Sequence, residues 1–424
     1  MQDGRKLSGQ DIRTLGLASL GGALEFYDFI IFVFFTAVIS QLFFPPDLPE
    51  WMKQLQTFGI FAAGYLARPL GGIVMAHFGD KLGRKRMFAF SILLMAVSTL
   101  GMGLLPTYAE IGIAAPVLLL ALRILQGAAI GGEVPGAWVF VAEHVPPQRI
   151  GFACGSVTCG LTVGILLGSL TATALNAVFT PEQVLDNAWR IPFILGGVFG
   201  LLAVYLRRWL AETPVFQALK ERKALSEELP LRVVARDHGA GVAVSMALTG
   251  LLSAGIIVLI LMMPTVLQKY YGFGVPESLH ANSIATAFLS VGCVLAGLLV
   301  DKIGSARFFM IFSPIMGVTA LVMLGLLRTD PELLYPLSAI LGFSVGIVGA
   351  VPHAMVHVFP ATIRFSGLST SYNVAYAIFG GFTPIVVTLM LQASPFAPAI
   401  YTLVLGAVGV AAGFALRRMP QHTF

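Results

Sequence analysis

The sequence predicts an all-α membrane protein of twelve transmembrane helices, arranged as two pseudo-symmetric six-helix bundles. Composition is the first observation behind this: of 424 residues, 57% are hydrophobic and only 11% are charged, with a mean hydropathy of +0.86. A soluble domain carries about 25% charged residues, so this chain has too few to cover a water-facing surface. The second is a set of twelve mostly apolar runs, each near the length of about 20 residues that crosses a bilayer as a helix. The third is the one long polar stretch, 209–238, which divides six runs from six. A soluble enzyme, a disordered hub and a disulfide scaffold are excluded.

In chain order the runs cover 15–41, 52–78, 87–106, 112–143, 150–178, 190–208, 239–268, 279–300, 307–328, 332–358, 365–392 and 396–416; they are numbered here as spans 1 to 12. The division predicts an N-terminal bundle at 1–208, a linker at 209–238 and a C-terminal bundle at 239–424. The polar N-terminus leads into span 1 without the short apolar core and small-residue cleavage site of a signal peptide, so span 1 is expected to remain as a helix. The net charge of +5 reports topology rather than nucleic-acid affinity. Twenty of the 26 Lys and Arg residues flank the spans on one side, four flank them on the other, and Arg68 and Arg123 lie inside spans. Basic residues mark the cytoplasmic side, which places both termini and the linker there. Cys154, Cys159 and Cys293 sit in apolar runs without metal-ligand spacing and read as packing thiols.

The halves echo one another. Gly79-Asp80-Lys81-Leu82-Gly83-Arg84-Lys85-Arg86 stands between spans 2 and 3, and Asp301-Lys302-Ile303-Gly304-Ser305-Ala306-Arg307 stands between spans 8 and 9. The same element at the same place in each half predicts the repeat architecture of a rocking-bundle transporter. Asp80 with Arg84, and Asp301 in the second half, are the candidate gating residues, able to latch one mouth of the molecule through charge contacts at helix ends.

These residues also carry a resemblance. GDKLGRKR resembles the signature loop of the major facilitator superfamily, and Arg123-Ile-Leu-Gln126-Gly127 resembles its span-four motif. Glu25-Phe-Tyr-Asp28-Phe, Ala67-Arg68-Pro69-Leu-Gly71-Gly72, Gly131-Gly132-Glu133, Trp189-Arg190-Ile-Pro192-Phe193, Glu212-Thr-Pro-Val-Phe216, and Arg364-Phe-Ser-Gly367 through Pro384 complete an ordered set from about residue 20 to 390. Together they are similar to the metabolite–proton symporter branch, whose members import citrate, 2-oxoglutarate, shikimate, tricarballylate or betaine-like solutes. The second-half loop, GSAR in place of GRKR, departs from the pattern and implies a weaker latch.

Ionisable groups inside the hydrocarbon are costly and therefore functional candidates. Five are present, Glu25, Asp28, Arg68, Arg123 and Glu133, all in the first half. Counting along the spans at 1.5 Å per residue puts Asp28 roughly 20 Å and Arg123 roughly 16 Å from the outer surface, so the two are expected to pair near the midplane, with Glu25 one turn away. The resemblance agrees: sugar–proton symporters of the superfamily pair a span-one carboxylate with a span-four arginine. Arg68 and Glu133 share a second depth, roughly 15 Å from the cytoplasm, and form a second expected pair. Pro135 beside Gly131-Gly132 predicts a bend in span 4. Three acids against two arginines leave one carboxylate without a cation, a physical reason to expect proton coupling through Asp28, Glu25 or Glu133.

Candidate substrate-binding residues are Arg123, whose guanidinium fork fits a carboxylate, together with Gln126, Arg68, Tyr372, Asn373 and Tyr376. The last three share a stripe on span 11 with Ser369, and such polar groups seldom face lipid. His353 and His357, four apart on span 10, could relay a proton. Gly160, Gly164 and Gly168 form a small-residue stripe on span 5 for close helix approach. That span lacks the Gly-Pro motif of the superfamily's drug exporters. The expected function is import of a small organic acid, a di- or tricarboxylate, by a proton symporter acting as a monomer in the bacterial inner membrane. H+ is the coupling ion, and neither a cofactor nor an enzymatic activity is expected. The alternatives are a symporter of a zwitterion such as proline or betaine, a proton-driven exporter, and a membrane receptor that does not transport.

Overall fold

The computed structural model describes residues 7–82, 84–207, 234, 236–361, 363–420 and 422, with the side chains at 54, 73, 75–89, 206 and 207 outside that description. Most of the expected linker at 209–238 is therefore outside it, as are the side chains of Asp80 and Arg84. The described chain is helical from end to end. Span 1 is Gly9–Phe34 continued by Thr36–Leu42, span 2 Glu50–Leu82 and span 3 Arg84–Leu104. Span 4 is split into Ala114–Ile130 and Glu133–His144, followed by span 5 at Ile150–Val178 and span 6 at Arg190–Arg207. In the second half, Gly239–Ile256 with Met263–Tyr271 forms span 7, and Val275–Ile303 forms span 8. Ser305–Phe312 with Ile315–Leu326 is span 9, and Leu334–Val345 with Val351–Val358 is span 10. Arg364–Ala375 with Gly381–Ala393 is span 11, and Ala397–Arg418 is span 12.

Among the described residues, nine of these helices are individually long and apolar enough to cross a membrane, and Pro181–Ala188 with Arg190–Tyr205, bent by 48°, makes a tenth. Glu50–Leu82 and Arg84–Leu104 complete the twelve. Since the spans alternate in direction, the start of span 1 at Gly9 and the end of span 12 at Arg418 lie on one face, called here the terminal face.

Four spans are distorted for one chemical reason. A proline cannot donate to the carbonyl four residues earlier. Pro135 frees the carbonyl of Gly131, where span 4 breaks at Gly131-Gly132. Pro264 and Pro384 follow the π-turns Ile257–Leu261 and Tyr376–Gly380, and Pro352 follows the 3-10 turn Gly346–Ala350. Such local unwinding places irregular backbone in the middle of spans 4, 7, 10 and 11, where membrane proteins tolerate it only against other protein or a cavity. Span 4 is interrupted at Gly131-Gly132, the place where a bend is expected from the sequence.

Packing between spans follows the small residues. A Cβ on Gly127 would fall on the carbonyl of Gly64, so spans 2 and 4 touch backbone to backbone. Gly160 and Gly164 likewise abut the carbonyls of Ser19 and Ala23, which sets span 5 against span 1. Across the halves, span 5 lies along span 8 and span 2 along span 11. The first of these seams is pinned by Thr162–Ser290 and Ser169–Ser283 hydroxyl hydrogen bonds, each 2.8 Å.

Candidate functional site

Arg68 sits at the second seam. It is fully buried, and its Nε donates to Asn373 Oδ1 on span 11 at 3.4 Å. Nη1 and Nη2 have no hydrogen-bond partner among the described residues. Around the guanidinium stand four rings: Tyr376 with its centroid at 4.3 Å, Tyr372 at 5.2 Å, Tyr65 at 5.7 Å and Phe29 at 5.9 Å. The rings also contact each other, Tyr65 stacking on Tyr376 at 5.7 Å and Tyr372 meeting Tyr376 at 4.6 Å. Both halves thus contribute to one aromatic enclosure around a cation, an arrangement stabilised by the ring quadrupoles.

Asn373 ties the seam at its other end. Its amide nitrogen donates to the carbonyl of Gly131, the group that Pro135 leaves without an intrahelical donor, and to Ser369 O at 2.9 Å. One side chain of the second half therefore holds Arg68 of span 2 and the break in span 4.

Arg123 is also fully buried but belongs to the first half alone. Nη1 donates to Phe29 O at 3.0 Å and to Gln126 Oε1. Its guanidinium lies over Phe29 at 4.0 Å, Phe32 at 4.8 Å and Phe61 at 5.2 Å. The Gln126 amide nitrogen donates onward to the backbone carbonyl of Asp28 at 2.9 Å and to Thr99 Oγ1 at 2.8 Å. The Phe29 ring is shared by the two sites, approached by Arg68 at 5.9 Å and by Arg123 at 4.0 Å.

The expected pair of Asp28 and Arg123 does not form. Both Asp28 carboxyl oxygens lack a hydrogen-bond partner among the described residues, and no Arg123 nitrogen is within ion-pair reach. The reason is room. Span 6 presents Gly196 and Gly200 to the Asp28 side chain, and a Cβ on either would come within 2.7 Å and 2.9 Å of its oxygens. The carboxyl turns into that cleft, while Arg123 Nη1 donates to Phe29 O and Gln126 and its Nε and Nη2 have no hydrogen-bond partner among the described residues. Arg68 and Glu133 do not pair either. Glu133 opens the second segment of span 4, and its Oε1 accepts from Ser91 Oγ on span 3 at 2.5 Å. Glu25 is buried one turn below Asp28.

At the terminal face Asp301 bridges the halves. Its two oxygens accept from the backbone N–H groups of Gly151 at 2.7 Å and Phe152 at 2.9 Å, in the first turn of span 5. A carboxylate there satisfies amides that the helix itself cannot use. His353 approaches Asp301 at 3.9 Å and shares a hydrogen bond with Ser305 at 2.8 Å. Beside this cluster, Arg364 of span 11 faces Glu143 of span 4 at 3.9 Å. Its first-half counterpart, Asp80 with Arg84, lies outside the described side chains.

The family profile described as Major Facilitator Superfamily matches residues 29–384. The chain belongs to the major facilitator superfamily. It is a transporter of the integral membrane class and not an enzyme. A Staphylococcus aureus (strain COL) protein named for proline/betaine transport is 33% identical over 405 residues, covering 94% of this chain and 86% of the relative. The glycine betaine/proline/ectoine/pipecolic acid transporter OusA of Dickeya dadantii is 30% identical, covering 96% of this chain and 83% of the relative. The MFS proton:xylose symporter XylE, from E. coli, superposes with a TM-score of 0.78 at 18% identity, over 97% of this chain and 96% of XylE. That likeness is one of fold, the twelve-helix architecture of the superfamily. The relatives do not support the expected citrate and 2-oxoglutarate branch; they carry the names of zwitterion transporters.

Sequence reasoning brought Arg68, Tyr372, Asn373 and Tyr376 forward but not as one cluster, and it missed Phe29, Phe61 and Tyr65. A signal was present. Phe61, Tyr65 and Arg68 recur at helical spacing on one face of span 2. Gly196 and Gly200, also four apart, marked the cleft that receives Asp28.

Proposed function

We propose that this transporter is a proton symporter that imports a small zwitterionic solute of the proline or betaine kind across a bacterial cytoplasmic membrane. The observation that carries the reading is Arg68: a buried cation at the seam of both halves, its two terminal nitrogens among aromatic rings and without a hydrogen-bond partner in the geometry of the described residues. A single carboxylate suits this fork. A di- or tricarboxylate needs more cation than Arg68 offers, and Arg123, whose Nη1 donates to Phe29 O and Gln126, lies wholly among first-half groups. We therefore assign the substrate carboxylate to Arg68 rather than Arg123. The names of the relatives support the zwitterion over the dicarboxylate.

The coupling proton is assigned to Asp28. Among the described residues no hydrogen bond or ion pair offsets the desolvation of a charged carboxylate there, and binding a proton removes that cost. The cleft at Gly196 and Gly200 that receives it is also met by Ala96, Tyr27 and Thr99, and the Thr99 hydroxyl is engaged with Met95 O and Gln126. Asp28 and Phe29 are consecutive, and the carbonyls of both accept from the Arg123–Gln126 pair. Protonation at Asp28 and occupation of Arg68 thus act on one short segment of span 1. Asp301 closes the terminal face, taken as cytoplasmic from the distribution of basic residues, and Asn373 ties the two halves deeper in, beside Arg68. The transporter works as a monomer in this reading, each bundle rocking about the seam.

Uptake of labelled glycine betaine and proline into proteoliposomes, with and without an inward proton gradient, tests the proposal. Accumulation above equilibrium only with the gradient is expected. Accumulation of a dicarboxylate and of neither zwitterion contradicts it.

A further inference from the structure

We propose that Tyr65, Tyr372 and Tyr376, with Phe29, form a cage for an alkylated ammonium group, filled by the Arg68 guanidinium until the substrate displaces it. The inference rests on the zwitterion reading above and adds which zwitterions the site selects. Four ring faces surround a cation within 6 Å of each centroid, the arrangement by which aromatic side chains hold organic cations. The rings come from spans 1, 2 and 11, so the cage is complete only when the two halves are together. What occupies it now is itself a planar organic cation, tethered by one hydrogen bond to Asn373.

A substrate carboxylate forks onto Nη1 and Nη2 and draws the guanidinium toward itself. The vacated ring faces then receive the positive end of the same molecule. The chemistry around the cage decides which positive end. A primary ammonium brings three N–H donors and needs three acceptors in a buried site. Here the groups that surround the cation are ring faces, which leave such donors unmet, and Asn373 Oδ1 already accepts from Arg68. A trimethylammonium or a ring-closed secondary ammonium brings none or two donors and presents methyl or methylene surface to the rings. The cage therefore favours N-alkylated zwitterions over primary amino acids, by charge on a π-face rather than by hydrogen bonding.

The purified transporter tests this with four probes: glycine betaine, N,N-dimethylglycine, glycine, and 3,3-dimethylbutanoate, which keeps the carboxylate and replaces the trimethylammonium of betaine with a neutral tert-butyl group. Competition against counterflow of labelled glycine betaine is expected to rank them in the order betaine, dimethylglycine, glycine, with dimethylbutanoate at least tenfold weaker than betaine. Tyr376→Leu is expected to weaken betaine at least tenfold and leave dimethylbutanoate nearly unchanged, while Tyr376→Phe, which keeps the ring, retains betaine. Equal affinity for betaine and dimethylbutanoate in the wild type overturns the cage and leaves the zwitterion reading standing; no variant is needed for that comparison. Equal loss of both probes in Tyr376→Leu also overturns it. Failure of the wild type to take up glycine betaine or proline at all overturns the zwitterion reading itself.

Discussion

The amide of Asn373 on span 11 donates to the carbonyl of Gly131 on span 4, across the seam between the two halves. That carbonyl is open because Pro135, four residues on, has no N–H to give it. The terminal-face parts of spans 4 and 11 cannot part without breaking this bond. Asn373→Ala leaves a buried carbonyl unmet, a loss of about 1–3 kcal/mol from the closed state. The expected result is a shift toward opening at the terminal face. Cys154, fully buried in the first third of span 5, reports it: in a background with Cys159 and Cys293 replaced by serine, maleimide labelling from that face rises. Pro135→Ala restores an intrahelical donor to Gly131 and is expected to move labelling in the same direction.

Asp28→Asn keeps the shape of the side chain and cannot exchange a proton. Uphill accumulation of glycine betaine is expected to vanish while counterflow at zero gradient survives. Wild-type uptake rises as the external pH falls, because protons load Asp28 from outside; the variant's uptake does not respond. Gly200→Ala places a methyl 2.9 Å from Asp28 Oδ2 and 2.5 Å from Ala96 Cβ. Overpacking of this kind costs about 1–3 kcal/mol. A lowered melting temperature together with an altered external-pH profile is expected; a lowered melting temperature with an unchanged profile removes the carboxyl from the coupling step.

Asp301 accepts from two backbone N–H groups of span 5, so Asp301→Ala uncaps that helix across the seam. Loss of such a cap costs about 0.5–2 kcal/mol. Faster labelling of Cys154 is expected, with substrate affinity little changed, since Asp301 lies at the terminal face and Arg68 inside the span. Asn at this position keeps one accepting oxygen and falls between the two. Labelling that is unchanged in Asp301→Ala takes the gating role away from this residue.

Much of the architecture was legible in the sequence, because hydrocarbon thickness and the need to satisfy backbone groups leave a chain of this composition few alternatives. The twelve runs, the repeat and the helix break at Gly131-Gly132 all come from local features. The site was legible as a set of residues but not as a set of partners. Depth counting placed Asp28 beside Arg123 and Arg68 beside Glu133, yet depth is one coordinate, and the rotation of each side chain about its helix is the other. That rotation is fixed by tertiary packing: two glycines on span 6 open a cleft for Asp28, Ser91 on span 3 takes Glu133, and the Phe29 carbonyl takes Arg123. The substrate class was the least legible, because a guanidinium fits any carboxylate and the rings that discriminate come from three separate spans.

The central claim is that Arg68, and not Arg123, receives the substrate carboxylate. Counterflow of labelled glycine betaine at zero gradient, measured as half-saturation for the wild type, Arg68→Lys and Arg123→Lys, tests it most directly. Lysine keeps the charge but loses the fork. The account predicts that Arg68→Lys raises half-saturation at least about tenfold, about 1.4 kcal/mol, while Arg123→Lys lowers the maximal rate with little change in half-saturation. The reverse pattern, with affinity lost at Arg123 and kept at Arg68, contradicts it.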